Sequence, residues 1–175
     1  MAVMELDKGG PVVSLAECKA YLRLERDEDD AVLAGLLRTA TGLCEAFVGQ
    51  WLMVRAAEQP MAVCGDWQRL RALPVRAVVS VIDGEVALPG EAFEADVSVD
   101  GLGWVRLTAP AGLVLPRVRF EAGLADDWNK VPEPLRHGIV RLAAHLYTHR
   151  DAADAGPPPA AVAALWRPWR RLSLG

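Results

Sequence analysis

His145 and His149 stand four residues apart in a stretch of helical periodicity, which would place both imidazoles on one helix face, the spacing used by HExxH metal helices. That chemistry also needs a glutamate after the first histidine and a third ligand. Leu146 occupies the glutamate position, and His137, two further turns back, faces roughly the same side, so the three read as surface or interface histidines and no metal is expected. Nucleophilic chemistry has no better signal. No GxSxG turn, Walker loop or GxGxxG fingerprint occurs, and Ser14, Ser80 and the cysteines have no base signalled beside them. Asp126 and Asp127 precede Trp128 in a loop leading to Pro132 and read as solvated carboxylates. Cys18, Cys44 and Cys64 are odd in number and lack CxxC spacing, which argues against a disulfide framework or zinc site and suits a reducing compartment. No catalytic residue and no cofactor is expected.

Two charged runs suit recognition better than catalysis. Glu25-Arg26-Asp27-Glu28-Asp29-Asp30 sets five acids against one base, a local charge equal to the net -4 of the whole chain. It reads as a solvated turn opening a helix, with Asp27 or Asp29 as the cap, and lacks the glycine and distant glutamate of a calcium loop. The run from Trp166 to Gly175 is basic and aromatic. Arginine on phosphate with tryptophan stacked on bases would make it a nucleic-acid contact, whereas the same residue types anchor protein interfaces, and a tail packed on its own body is the third reading. Three arginines on an acidic chain are a thin footprint for nucleic acid, which favours a protein groove. Six of the eleven aromatic residues are tryptophan; Trp51, Trp104 and Trp67 are expected in the core, and Trp166 and Trp169 in an arm that no core needs.

The elements that would position these residues follow from periodicity. The chain has 175 residues, of which 52% are hydrophobic, enough for one domain with its own core. Its first residues lack a secretory h-region, and no stretch reads as a membrane span, so a cytoplasmic protein is expected. Ser14-Leu15-Ala16-Glu17 has capping-box form and opens a short helix running to about Arg23. Val32, Leu33, Leu36, Leu37, Ala40, Leu43, Cys44, Phe47, Val48 and Trp51 recur at three- and four-residue spacing, the strongest helical pattern in the chain, which Gly49 is expected to close, with Gly35 and Gly42 admitting a close neighbour. From Leu52 to Gly123 the pattern turns extended, with strands expected at 52–57, 69–73, 75–82, 92–99, 103–108 and 116–122, and type I' hairpins at Asp83-Gly84 and Asp100-Gly101. Helix returns after Val131-Pro132-Glu133-Pro134 and ends near Arg150; a linker covers Asp151–Pro159, and Ala160–Trp166 forms two further turns. The expected fold is α+β, mainly a bundle of three to four helices with a small inserted antiparallel β region. Its parts are an N-terminal helical part (1–51), the insertion (52–123), a C-terminal helical part (124–156) and an arm (157–175).

The order of these parts resembles the head-tail connector, or adaptor, proteins of long-tailed bacteriophages and gene transfer agents. Ser14 to Leu24 looks like the family's opening helix; Leu73-Pro74-Val75 with Val78, Val81 and Ile82 looks like the lead into its insert. Glu45 to Leu52, Pro132 to Ile139 and Leu146 to Arg150 follow in family order, and the resemblance spans Val13 to Leu174. It implies a structural protein without a catalytic cycle, assembling as a ring, usually of twelve, beneath the portal after DNA packaging and extending the channel. The implied partners are the portal, a tail-side connector or stopper protein, and further copies of the chain. DNA would pass without sequence-specific binding, and no membrane partner is implied. The implied place is the head-tail interface of a virion or phage-like particle, after synthesis in the bacterial cytoplasm. Carried onto this chain, the portal-docking residues are Trp166, Arg167, Trp169, Arg170, Arg171 and Leu172. Subunit contacts are expected at Gly35, Leu36, Gly42, Leu43 and Phe47, and a channel- or partner-facing acidic surface at Asp27, Glu28, Asp29 and Asp30. The alternative is a small nucleic-acid-binding module using the basic tail.

Overall fold

The computed structural model describes residues 3–6, 13–149 and 158–171. Among them are four α-helices and eight strands in two antiparallel sheets, about 38% helix and 26% strand. This overturns the expectation of a mainly helical bundle: the protein is a sheet-rich α+β fold. The extended region carries a five-stranded and a three-stranded sheet and is a compact unit, Met1–Gly9 with Met53–Asp126; the other is Gly10–Leu52 with Asp127–Gly175.

The helical unit contains α1 (Leu15–Leu22), α2 (Asp30–Val48), α3 (Glu133–Thr148) and α4 (Ala160–Trp166). The Ser14 hydroxyl accepts from the Glu17 amide at 3.1 Å, as the capping box requires. Gly49, at φ 70°, closes α2 in the left-handed region that favours glycine. Leu33, Leu37, Ala40, Cys44 and Val48 form the buried face of α2, while Leu135, Ile139, Leu142 and Ala143 form that of α3. By length and a mean hydropathy of 1.4, α2 is apolar enough to span a membrane, against the sequence expectation, yet it carries the buried stripe of a core helix. Only 28% of that apolar stretch is buried in the chain itself, so much of its apolar surface faces outward.

In the β unit the larger sheet has the order β1-β2-β8-β4-β5, with β1 Met4–Glu5, β2 Arg55–Pro60, β4 Val75–Asp83, β5 Val86–Ala87 and β8 Pro116–Ala122. The smaller is β3-β7-β6, with β3 Gln68–Arg69, β6 Phe93–Val97 and β7 Gly103–Leu107. Val105, Leu107, Val118 and Phe120 alternate inward, as antiparallel strands with one wet face do. A Cβ on Gly103 would stand 2.8 Å from Val75 Cγ2, so glycine there lets the two sheets close on each other. The strand at 116–122 lies where the pattern places it, whereas the one expected at 52–57 runs instead from Arg55 to Pro60. Neither expected type I' turn forms: Gly84 and Gly101 alone take positive φ, 60° and 77°, and the preceding aspartates do not. Buried Glu58 is held by Arg117 at 2.8 Å and Arg119 at 2.9 Å, the pairing that a carboxylate out of water requires.

Candidate assembly surfaces

The C-terminal arm is folded on its own helical unit. Val162 and Trp166, one turn apart on α4, are both buried, and Trp166 is 0% exposed. Its indole lies against Gly138 of α3, where an added Cβ would sit 2.1 Å from Nε1, and its N–H donates to the Leu135 carbonyl at 3.4 Å. Phe47 closes the slot, its ring centroid 5.8 Å from Trp166. The expectation that no core needs Trp166 is therefore corrected: it is the most buried tryptophan of the chain, and Trp67, expected inside, is 45% exposed. Gly138 is the signal that could have found this contact, a glycine within the apolar face of α3 that leaves room for a large side chain.

Beyond Trp166 the chain makes a short 3-10 turn, Arg167–Trp169, and is fastened to the end of α2. Gln50 Nε2 donates to the Trp169 carbonyl at 2.8 Å, and the Arg171 amide donates to the Val48 carbonyl at 2.8 Å. Arg170 stacks over Phe47, its guanidinium 5.7 Å from the ring centroid. Arg167 and Arg170 are exposed, Trp169 and Arg171 are half-buried, and Leu172 lies outside the described residues. The arm thus offers cations on a fixed backbone.

The acidic run is largely answered within the chain. Lys19 Nζ lies 2.5 Å from Asp27 and 2.8 Å from Asp30. These bonds raise the Lys19 pKa above, and lower the Asp27 pKa below, their ordinary values. Asp29 sits at the cap position of α2 but makes no side-chain cap bond, accepting instead from the Tyr147 hydroxyl. Glu28 is exposed, 4.0 Å from Arg26.

On α2, Leu43 is 43% exposed, Leu36 and Gly35 are half-buried, and Gly42 is exposed, with nothing within 4 Å of where a Cβ would stand. Gly42 therefore receives no packed neighbour among the described residues, a Cβ on Gly35 would meet Arg38 Nη2 at 3.9 Å, and Phe47 is covered by the arm. His145 and His149 stack at 4.3 Å on the exposed side of α3, and His137 meets Tyr21 edge-on at 6.3 Å. No cluster of metal-ligating side chains occurs among the described residues. Burial pushes the thiols of Cys18 and Cys44 up, the direction of an inert thiol.

No protein-family profile and no curated protein matches the chain. Among solved structures, the fold matches a chain from the neck of an empty gene transfer agent (GTA) particle, computed with C6 symmetry. The TM-score is 0.78 and the identity 25%, over 100% of this chain and 99% of that one. Chains of a native GTA virion and of a native GTA neck computed with C12 symmetry match at TM-score 0.76 and 23% identity over the same lengths. The fold is that of a structural component of a phage-like particle, and the resemblance to GTA and phage head-tail connectors read from the sequence agrees with all three.

Proposed function

We propose that this chain is the head-tail adaptor of a phage-like particle: a non-enzymatic subunit that assembles as a ring, of about twelve, beneath the portal and extends the DNA channel toward a tail-side stopper. The full-length fold match to neck chains carries this reading. In it, the exposed face of α2 around Leu36, Gly42 and Leu43 is a subunit contact. A ring needs heterologous interfaces, and an apolar helix face left uncovered by its own chain is suited to one. The arm docks on the portal through Arg167, Arg170 and Arg171 with Trp169, while Trp166 and Phe47 hold it in place from beneath. Glu28 is the acid of the 27–30 turn with charge to offer a channel or partner. A nucleic-acid module is less well supported, because of the two arm tryptophans only Trp169 has surface on which a base can stack.

Truncation at Trp166 would open the core and confuse docking with folding. The test is therefore Arg167→Glu with Arg170→Glu, both exposed. The variant is expected to stay folded, losing only the Arg170–Phe47 contact at about 0.5–1 kcal/mol, to lose portal binding at least about tenfold by reversing the charge of the arm, and to leave DNA-filled heads without tails. Wild-type particle yield from this variant would overturn the docking assignment.

A further inference from the structure

The residues 109–115, Ala-Pro-Ala-Gly-Leu-Val-Leu, form an uncharged run within a unit that holds twelve acidic and eight basic residues. Val114 is 75% exposed and Leu115 69%. Neither is loosely held. The Asp83 carboxylate accepts from the Val114 amide at 3.2 Å and from the Leu115 amide at 2.7 Å. Arg117 Nη2 ties the adjacent turn by donating to the Gly84 carbonyl at 2.7 Å. Val86, paired with Asp83 across β4-β5 and 69% exposed, adds a third aliphatic group on the other side of Asp83. The result is a fixed aliphatic tip. Its backbone is already ordered, so burying it against a partner loses little conformational entropy.

A second uncovered aliphatic surface lies on α2, where Val32, Leu36, Thr39 and Leu43 recur on one face without a charge, and Val32 and Leu43 are each 43% exposed. We propose that the tip of one copy, Val86, Val114 and Leu115, docks on this face of α2 in the next copy; the proposal rests on the ring reading above. Three observations favour a second copy as the occupant. A closed heterologous ring needs two unlike patches on every subunit, and this chain carries two rigid aliphatic ones. The α2 face carries no charge, and at the tip the Asp83 carboxylate keeps its Val114 and Leu115 amide partners when the aliphatic groups are covered. The β unit carries the whole excess of acid, so neighbouring copies approach most easily through its uncharged part.

The test uses full-length chains with Cys64→Ser, since Cys18 and Cys44 are 0% exposed. Leu43→Cys and Leu115→Cys chains are assembled into particles separately and as a mixture, treated with a short bis-maleimide, and examined by denaturing gel and by electron microscopy. Covalent dimers from the mixture, and from neither chain alone, are the expected result. Dimers from either chain alone, or none in any sample that shows rings, overturn the tip-to-helix contact while leaving the ring intact. Absence of rings with the unmutated chain overturns the underlying reading instead. In unmutated chains, amide exchange at 109–115 is expected to slow at least about tenfold on ring assembly; unchanged exchange in verified rings also overturns the proposal.

Discussion

Gly138 and Trp166 act as one packing unit, separated by most of α3 and the segment leading to α4. Replacing Gly138 with alanine places a methyl 2.1 Å from the indole nitrogen, so α4 must move outward. Overpacking of this kind costs about 1–3 kcal/mol. Gly138→Ala is expected to lower stability by that amount and to shift tryptophan emission to the red, read by denaturant titration; an unchanged midpoint would remove the slot from the account. Lys19 gives a second residue-scale prediction. Its pKa is raised by bonds to Asp27 and Asp30, so its contribution is present below the ordinary lysine value of 10.5 and is lost as pH rises through the folded value. The Asp27 pKa is lowered by Lys19, so its contribution is present above the ordinary carboxyl value of 3.8 and is lost as pH falls through the folded value. The melting-temperature difference between wild type and Lys19→Met is expected to be flat between those two pH values and to narrow outside them. A difference that peaks in acid would contradict the ion pair.

At the scale of elements, α2 and α3 were legible because each buries one apolar stripe, and α1, which buries only Cys18, was legible from its cap. α1 begins after its Ser14 cap, α2 ends at Gly49, and α4 covers the predicted Ala160–Trp166. Strands were legible where apolar and charged residues alternate, as in β7 and β8. The two-residue strands Met4–Glu5 and Val86–Ala87 were missed, since two residues carry no period and their pairing is decided by a neighbouring strand. Asp83 illustrates the same limit. Its sequence neighbour Gly84 marks a turn, but its carboxylate serves amides more than thirty positions away, in the loop before β8. Asp83→Ala is expected to cost about 1 kcal/mol and to speed exchange at Val114 and Leu115 while leaving β7 protected. Equal loss of protection across the whole β unit would mean that Asp83 supports the sheet rather than the tip.

For the whole molecule, the net charge of -4 equals the charge of one acidic turn, which suggests that the remainder is in balance. Division into units assigns it differently. The helical unit has eleven acids and eleven bases, with Asp27 and Asp30 answered by Lys19, and the excess acid belongs to the β unit. On the proposed reading, ring assembly and portal docking therefore respond to salt in opposite directions. Screening reduces repulsion between like-charged copies and weakens an arginine arm on an acidic partner, as the Debye length falls from about 30 Å at 0.01 M to about 3 Å at 1 M. Sedimentation is expected to show self-association rising with salt while portal binding falls; portal binding that does not fall with salt would contradict docking through the arginines. Everything legible in the chain before folding is local: caps, helix stripes, alternating strands, and an order of parts that resembles the connector family. The tertiary structure decided the extent of the sheets, the covering of Phe47 by the arm, and the burial of Trp166. Each of these depends on a partner distant in the chain, and no local period records whether the space beside Gly138 is filled by solvent or by an indole.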